Sequence, residues 1–359
     1  MASEPEADMD FQSMPKIEIH AHLSGSISRQ CLHEIWSKKK AAGSTDLEDP
    51  LVVMPVDKHD YDLNTENHQL LPLFSSYIYH LVDDVDSLTY TTKSVVADFA
   101  ADGVVYLELR TTPRAMATAG LDKAGYVEAV LDAMAAAQAE HPSIRAKLIL
   151  SMDRRNTPEE AREVVLLARQ FRARGVVGVD LCGDPAKGDV ALFTPAVREA
   201  KAAAGGGLGV TIHFAEAECS ASEAELQTIM DWDPDRLGHV IHVPEHIKRR
   251  ITAARPSGGG GGSSSRGLEL CLSCNVHAKM IVGSFEAHHF GEWWRVEGVT
   301  VVPCTDDVGV FGSPVSNEWR LIQRHFKLTR AEILELVRKG IDVIFGGEEE
   351  KQRLRRLMW

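Results

Sequence analysis

The sequence has no surplus of positive charge: 39 lysines and arginines face 52 aspartates and glutamates, a net charge of −13. That excludes a general nucleic-acid binder or a basic membrane-surface protein, while leaving room for one local cationic pocket around a small anion. No apolar run approaches the length of a membrane span. The opening residues Met1 to Asp10 lack the basic start and apolar stretch of a secretory signal, and also the arginines of a transit peptide, so a cytosolic location is expected. Cysteine is scarce as well. Six are scattered through 359 residues, which speaks for reduced thiols rather than a disulfide framework. The one Cys-x-x-Cys, Cys271 and Cys274, falls in the apolar stretch 268–274, read as a strand whose pleat sends the two thiols to opposite faces. No Gly-x-Gly-x-x-Gly follows the first strand-like stretch, so the fingerprint of an open dinucleotide-binding sheet is missing.

What is present is an alternation. Short β-branched or apolar segments stand at about 16–22, 104–111, 146–153, 176–182, 208–214, 236–242, 268–274 and 299–305. Helical patterns fit the gaps, at 122–140, 157–174, 194–204, 221–231 and 244–254. The clearest begins with Thr157 as N-cap, Pro158 at the first helical position and Glu160 closing a capping box, and Gly175 ends it. Eight β–α units imply a parallel sheet closed into a (β/α)8 TIM-type barrel, one domain spanning 1–359. The first crossover, about 25–103, is far longer than one helix needs, and Thr65 to Val82 reads as helical. A helical insertion there would form a lid over the C-terminal face of the barrel. Residues 1–13 read as a disordered tail and the Gly/Ser run 256–266 as a flexible loop. Beyond the eighth strand, 314–358 predicts two or three closing helices, one started by a Thr329–Glu332 capping box.

In a barrel, residues at the C-terminal ends of the strands converge. Those ends carry His20 and His22 on the first strand, His213 on the fifth, His239 on the sixth, and Asp306 with Asp307 on the eighth. Three imidazoles and a carboxylate suit zinc with one position left for water, whose pKa the metal lowers towards ~7. The expected ligands are His20, His22, His213 and Asp306. His239 is then free to orient the water or take its proton, and Asp307 to meet a donor on the substrate. Glu216 follows His213 by three residues and would stand just past the strand, where a general acid can reach a ring nitrogen. The fourth strand, Val179-Asp-Leu-Cys, has no lysine of the kind that bridges two metals once carbamylated, so one metal is expected. The adjacent His288 and His289 are expected to diverge and to have no part in the site.

These residues resemble the adenosine/AMP deaminase family. His20 and His22 after Pro15-Lys16, His213 with Glu216, Gly238 with His239, and Thr305-Asp306-Asp307 stand in the family's order, over about residues 14 to 320. The resemblance implies a zinc barrel in which activated water attacks the purine carbon bearing the exocyclic amine. Glu216 protonates the neighbouring ring nitrogen, His239 positions the water and Asp307 accepts from a base nitrogen. Within the family the chain is most similar to the adenosine deaminase-like subgroup, through stretches 20–26, 108–114, 152–155, 181–185, 288–293 and 305–311. That implies hydrolysis of N6-methyl-AMP to IMP and methylamine in purine nucleotide salvage, and substrate contacts at His22, Ser24, His80, Thr111, Thr112, Pro113, Arg114, Asp153, Gly183, Glu216 and Asp307. The alternative is deamination of adenosine to inosine. Adenosine deaminases carry aspartate where this chain has Ser24. A carboxylate ~4 Å from a phosphate would cost ~4 kcal/mol per charge pair at an effective dielectric of ~20, and a hydroxyl removes that cost. Arg114 is the expected counter-charge. The implied ligands are one zinc per chain and a purine nucleoside monophosphate, with no nucleic-acid polymer, no membrane and a monomeric state expected.

Overall fold

The computed structural model describes residues 9–54, 70–202, 207–253 and 265–358. Eight strands run parallel in sequence order around a barrel: β1 (Lys16–His22), β2 (Val104–Thr111), β3 (Arg145–Asp153), β4 (Val176–Cys182), β5 (Gly209–Phe214), β6 (Arg236–His239), β7 (Arg266–Leu270) and β8 (Val299–Pro303). Their near-continuous apolar sequences follow from burial on both faces, one lining the barrel and the other covered by helices. β1 to β8 are joined by full ladders between successive strands. Among the described residues the ring is joined at β1 by one bridge just past the end of β8, in which Asp306 N–H donates to the His20 carbonyl (2.8 Å) and His22 N–H to the Asp306 carbonyl (2.9 Å).

Local sequence explains the helices. The Thr157–Glu160 capping box starts Pro158–Gln170, and the turn after it ends at Gly175 with φ of 113°. Asp122 caps Lys123–Glu140, and Thr329 with Glu332 closes the box that begins Arg330–Gly340. The closing helices number three, Val315–Phe326, Arg330–Gly340 and Glu348–Met358. No helix among the described residues is long and apolar enough to cross a membrane.

Several expectations change. β6 stops at His239 rather than 242, because His239 and Val240 take left-handed φ of 64° and 59° and break the extended chain. β7 stops at Leu270. Cys271 and Cys274 therefore sit at the start and within the short helix Leu272–His277, not on opposite faces of a strand, though both thiols are free and buried. Of the expected tail 1–13, residues 1–8 lie outside the described residues and the rest is built into the fold. Asp10 to Ser13 form a turn, Phe11 is buried, and the Lys16 ammonium donates to the carbonyls of Phe11 (2.6 Å) and Met14 (2.9 Å). In the first crossover the chain is helical from Leu70 to Leu81, with a π-type turn over Leu73–Ile78. The expected start of that helix at Thr65 lies outside the described residues, as do residues 256–264 of the Gly/Ser run.

One buried acid behind the barrel makes stability depend on pH. Glu318 is fully buried, accepts from Ser273 N–H (3.1 Å) and the Ser313 hydroxyl, and burial pushes its carboxyl up to about 7 from an ordinary 4.5. The folded state thus holds this proton more tightly than the unfolded chain. Its stabilising contribution is complete below pH 4.5 and is lost as pH rises through 7, by at most about 3 kcal/mol. Glu318→Gln should flatten that dependence. Urea midpoints measured for both proteins between pH 4.5 and 8 decide it, and parallel curves would remove Glu318 from the account.

Candidate active site

The C-terminal ends of β1, β5 and β8 bring four donors together. Donor atoms of His20, His22, His213 and Asp306 all lie within 4.8 Å of one another. His22 Nε2 is 3.1 Å from His213 Nε2, and Asp306 Oδ1 is 3.3 Å from His20 Nε2 and 3.2 Å from His22 Nε2. Asp306 reaches inward because its φ is 62°, a left-handed conformation that aspartate tolerates better than most residues.

The outer nitrogens are held by carboxylates. His20 Nδ1 is 2.7 Å from Glu269 Oε2, and His213 Nδ1 is 3.1 Å from Asp180 Oδ1. A single buried guanidinium, Arg110, reaches both carboxylates, Glu269 at 2.8 Å and Asp180 at 3.4 Å. Sequence reasoning missed Glu269, Asp180 and Arg110. The available signal was a charge set among apolar residues of a strand expected to be buried on both faces: Glu108 and Arg110 in Val-Tyr-Leu-Glu-Leu-Arg, Asp180 in Val-Gly-Val-Asp and Glu269 in Leu-Glu-Leu.

This donor set fits a divalent transition metal. Nitrogen and oxygen donors converge, two of the rings are oriented by carboxylates from behind, and His20 Nε2 is buried with no hydrogen-bond partner. Burial and Arg110 pull the His20 imidazole down, yet Asp306 and Glu269 outweigh them and hold it at about 9. Burial pulls the neighbouring His22 ring the other way, to about 4, so the fit to a metal rests on the converging donors.

The cluster opens into a cavity of about 460 Å³. Glu216 stands in its wall, placed there by the turn at Ala215 (φ 51°). Its Oε1 has no hydrogen-bond partner, and burial raises its carboxyl above the ordinary range. Asp307 faces the same cavity, raised by burial and by Asp306 beside it. Gly25 makes room for it, since a β-carbon there would lie 1.6 Å from Asp307 Oδ1.

His239 stands behind the cavity rather than on its lining. Its Nε2 is 3.4 Å from Glu216 Oε2 and 3.8 Å from Asp306 Oδ2. His288 and His289 do not diverge. Their rings stack at 4.2 Å between centroids, and both serve His239: His289 Nε2 donates to the His239 carbonyl (2.6 Å), and His288 bonds Asn275, which bonds the His239 ring. The chain turns at this pair, with His289 in the helical region, and a turn brings adjacent side chains to one side.

The expected substrate residues divide into two groups. His22, Ser24, Thr111, Thr112, Asp153, Gly183, Glu216 and Asp307 line the cavity, whereas His80, Pro113 and Arg114 do not. His80 is exposed on the outer side of its helical turn. The Arg114 guanidinium lies over the rings of Tyr79 (4.6 Å) and Tyr126 (5.6 Å) and donates to the Val82 carbonyl, so it fastens the insertion to the barrel. The cations lining the cavity are Arg110, Arg155 and Lys187. Arg110 is consumed by Glu269 and Asp180, and Arg155 forks onto Asp153 with two contacts of 2.7 Å.

Comparison with known proteins agrees with this geometry. The family model described as adenosine deaminase matches residues 15–358. An N6-mAMP deaminase of Arabidopsis thaliana is 35% identical, with 96% of each chain aligned. An N6-methyl-AMP deaminase of Homo sapiens is 34% identical over 97% of this chain and 93% of its own length. Among solved structures, the Arabidopsis N6-mAMP deaminase superposes with a TM-score of 0.84 at 34% identity, covering 97% of this chain and 98% of the other. An Arabidopsis structure solved with IMP gives a TM-score of 0.84 over 97% of both chains.

Proposed function

Because this chain belongs to the adenosine deaminase family, we propose that it hydrolyses N6-methyl-AMP to IMP and methylamine, using one zinc ion held by His20, His22, His213 and Asp306. The observation that carries the reading is one cavity that joins this donor cluster to Glu216, Asp307 and a neutral Ser24. The names of relatives at 34–35% identity support the choice of substrate. When bound, zinc acidifies water and so supplies the nucleophile of hydrolysis near neutral pH.

The chain's own residues do the rest. Asp307 holds the edge of the purine and so fixes which ring carbon faces the metal-binding cluster. Glu216, whose burial favours its protonated form, gives that proton to the ring nitrogen beside that carbon and is then recharged by a proton from the attacking water. The water's oxygen stays on the carbon, the bond to the exocyclic nitrogen breaks, and the second proton leaves with methylamine. Atoms balance without a further reagent.

Ser24 places no charge near the phosphate, where a carboxylate would repel it. Lys187, exposed on the cavity rim, takes the place expected of Arg114 as counter-charge. Lys187→Ala should therefore raise KM for nucleotides ~5-fold or more, as loss of one charge-assisted contact implies, and leave nucleosides unaffected. Arg114→Ala should disturb both alike, because it holds the wall of the cavity. The deciding assay compares turnover of N6-methyl-AMP, AMP, N6-methyladenosine and adenosine by the zinc-loaded protein, following IMP or inosine by chromatography. Preference for N6-methyl-AMP is expected. Preference for adenosine would overturn the phosphate argument, and no turnover with zinc bound would overturn the enzyme reading.

A further inference from the structure

We infer that His239 works as a neutral hydrogen-bond donor rather than a base, its proton fixed on Nε2 by a relay that begins at a backbone amide and passes through His288 and Asn275. The role assigned to His239 rests on the proposed reaction; the relay itself does not.

The relay can be followed bond by bond. A backbone N–H can only donate, and Phe290 N lies 3.0 Å from His288 Nδ1, so Nδ1 is the acceptor and the His288 proton sits on Nε2. His288 Nε2 then donates to Asn275 Oδ1 at 3.1 Å. That fixes the amide: Asn275 Nδ2 faces His239 Nδ1 at 2.9 Å and Met280 Sδ at 3.2 Å, one acceptor for each of its hydrogens. An amide nitrogen can only donate, so His239 Nδ1 must accept and His239 carries its proton on Nε2. Nothing in the chain of bonds is free to reverse without leaving a buried group unpaired. His288, Asn275 and His239 are all buried, so such a loss has no water to repair it.

The Nε2 proton points between Glu216 Oε2 at 3.4 Å and Asp306 Oδ2 at 3.8 Å. Both distances are long for direct hydrogen bonds, and Nε2 is buried with no partner in the protein, so an oxygen brought to the donor cluster by the proposed reaction is what it can meet. A ring with Nδ1 already accepting and Nε2 already protonated has no lone pair to give that oxygen. It can hold the oxygen and stabilise the charge that grows on it, but cannot remove its proton. Proton removal falls to Glu216, the titratable group within reach of the same space. His289 adds a clamp by holding the carbonyl of His239, whose φ of 64° would otherwise relax.

Nitrogen-15 NMR of the zinc-loaded protein reads the tautomer of His239 directly and needs no substrate. The expected signature is a neutral ring protonated on Nε2. Asn275→Asp should invert it, since a carboxylate only accepts and would draw the proton to Nδ1; kcat should then fall ~10²-fold with KM changed less than ~3-fold. If that variant does not fold, a second pair decides. His288→Gln keeps an N–H donor and should hold both the signature and kcat within ~3-fold, whereas His288→Phe should lose the Nε2 signature and drop kcat ~10-fold. A wild-type ring protonated on Nδ1, or normal turnover by Asn275→Asp with an inverted ring, would overturn the inference. A wild-type protein that shows the signature but consumes no purine would overturn the proposed reaction and leave the relay standing.

Discussion

Replacing Glu216 with glutamine is expected to leave zinc bound and to lower kcat by ~10²-fold or more. Glutamine keeps the shape of the side chain, so the wall of the cavity and the fit of the purine should persist and KM should move little. What it removes is the exchangeable proton. Glu216 is not one of the four clustered donors, which separates this change from loss of metal. Its carboxyl is the one lining the cavity with a raised pKa that does not adjoin the donor cluster in sequence, and its Oε1 is left unpaired by the protein. Metal content by mass spectrometry and kcat on N6-methyl-AMP are the paired measurements. Turnover near that of the parent with full zinc would mean that another group moves the proton.

The second large effect belongs to Asp306. Asp306→Ala should reduce zinc far below one per chain and abolish turnover. Asp306 is the anionic member of the cluster, and without it three neutral imidazoles must hold a doubly charged ion. Loss of a partner behind a ligand already costs ~10–100-fold in affinity, and loss of the ligand itself should exceed that. Alanine at φ of 62° adds backbone strain, so Asp306→Asn is the cleaner companion, keeping a residue that accepts this conformation. The parent should also melt higher with zinc than after chelation, since saturation at ~1,000 times Kd adds ~4 kcal/mol, and neither variant should show that difference. Stoichiometric zinc in both variants would mean that the ligand set is wrong.

Much of this was legible in the chain because its causes are local. The period-two alternation before His20 and His22, the Thr157–Glu160 box and the Gly175 stop each act over a few residues, and eight such units imply the ring. The shell behind the donors was hidden because its members meet only after closure: Glu269 and Arg110 are 159 positions apart and 2.8 Å from each other. Arg114 shows the same limit from the other side. Its place after β2 suggested a phosphate partner, but Tyr79 and Val82 of the insertion claim the guanidinium first. The pair His288 and His289 misled through geometry. Side chains of adjacent residues diverge on extended chain, and here the backbone turns. Cys271 and Cys274 failed for the same reason, as β7 stops at Leu270.

The bridge between β8 and β1 gives the donor cluster a mechanical meaning. Every other joint in the ring is a ladder spread along two strands, but this one is two hydrogen bonds from the backbone of Asp306, to His20 and from His22. The clasp of the hoop and the cluster able to hold an ion share the same residues. An ion gripped there ties the first strand to the last through side chains as well as backbone, bracing the least-laced joint of the barrel. Tension on the ring and grip on the cofactor become one quantity, so a substitution that slackens either will be felt in both.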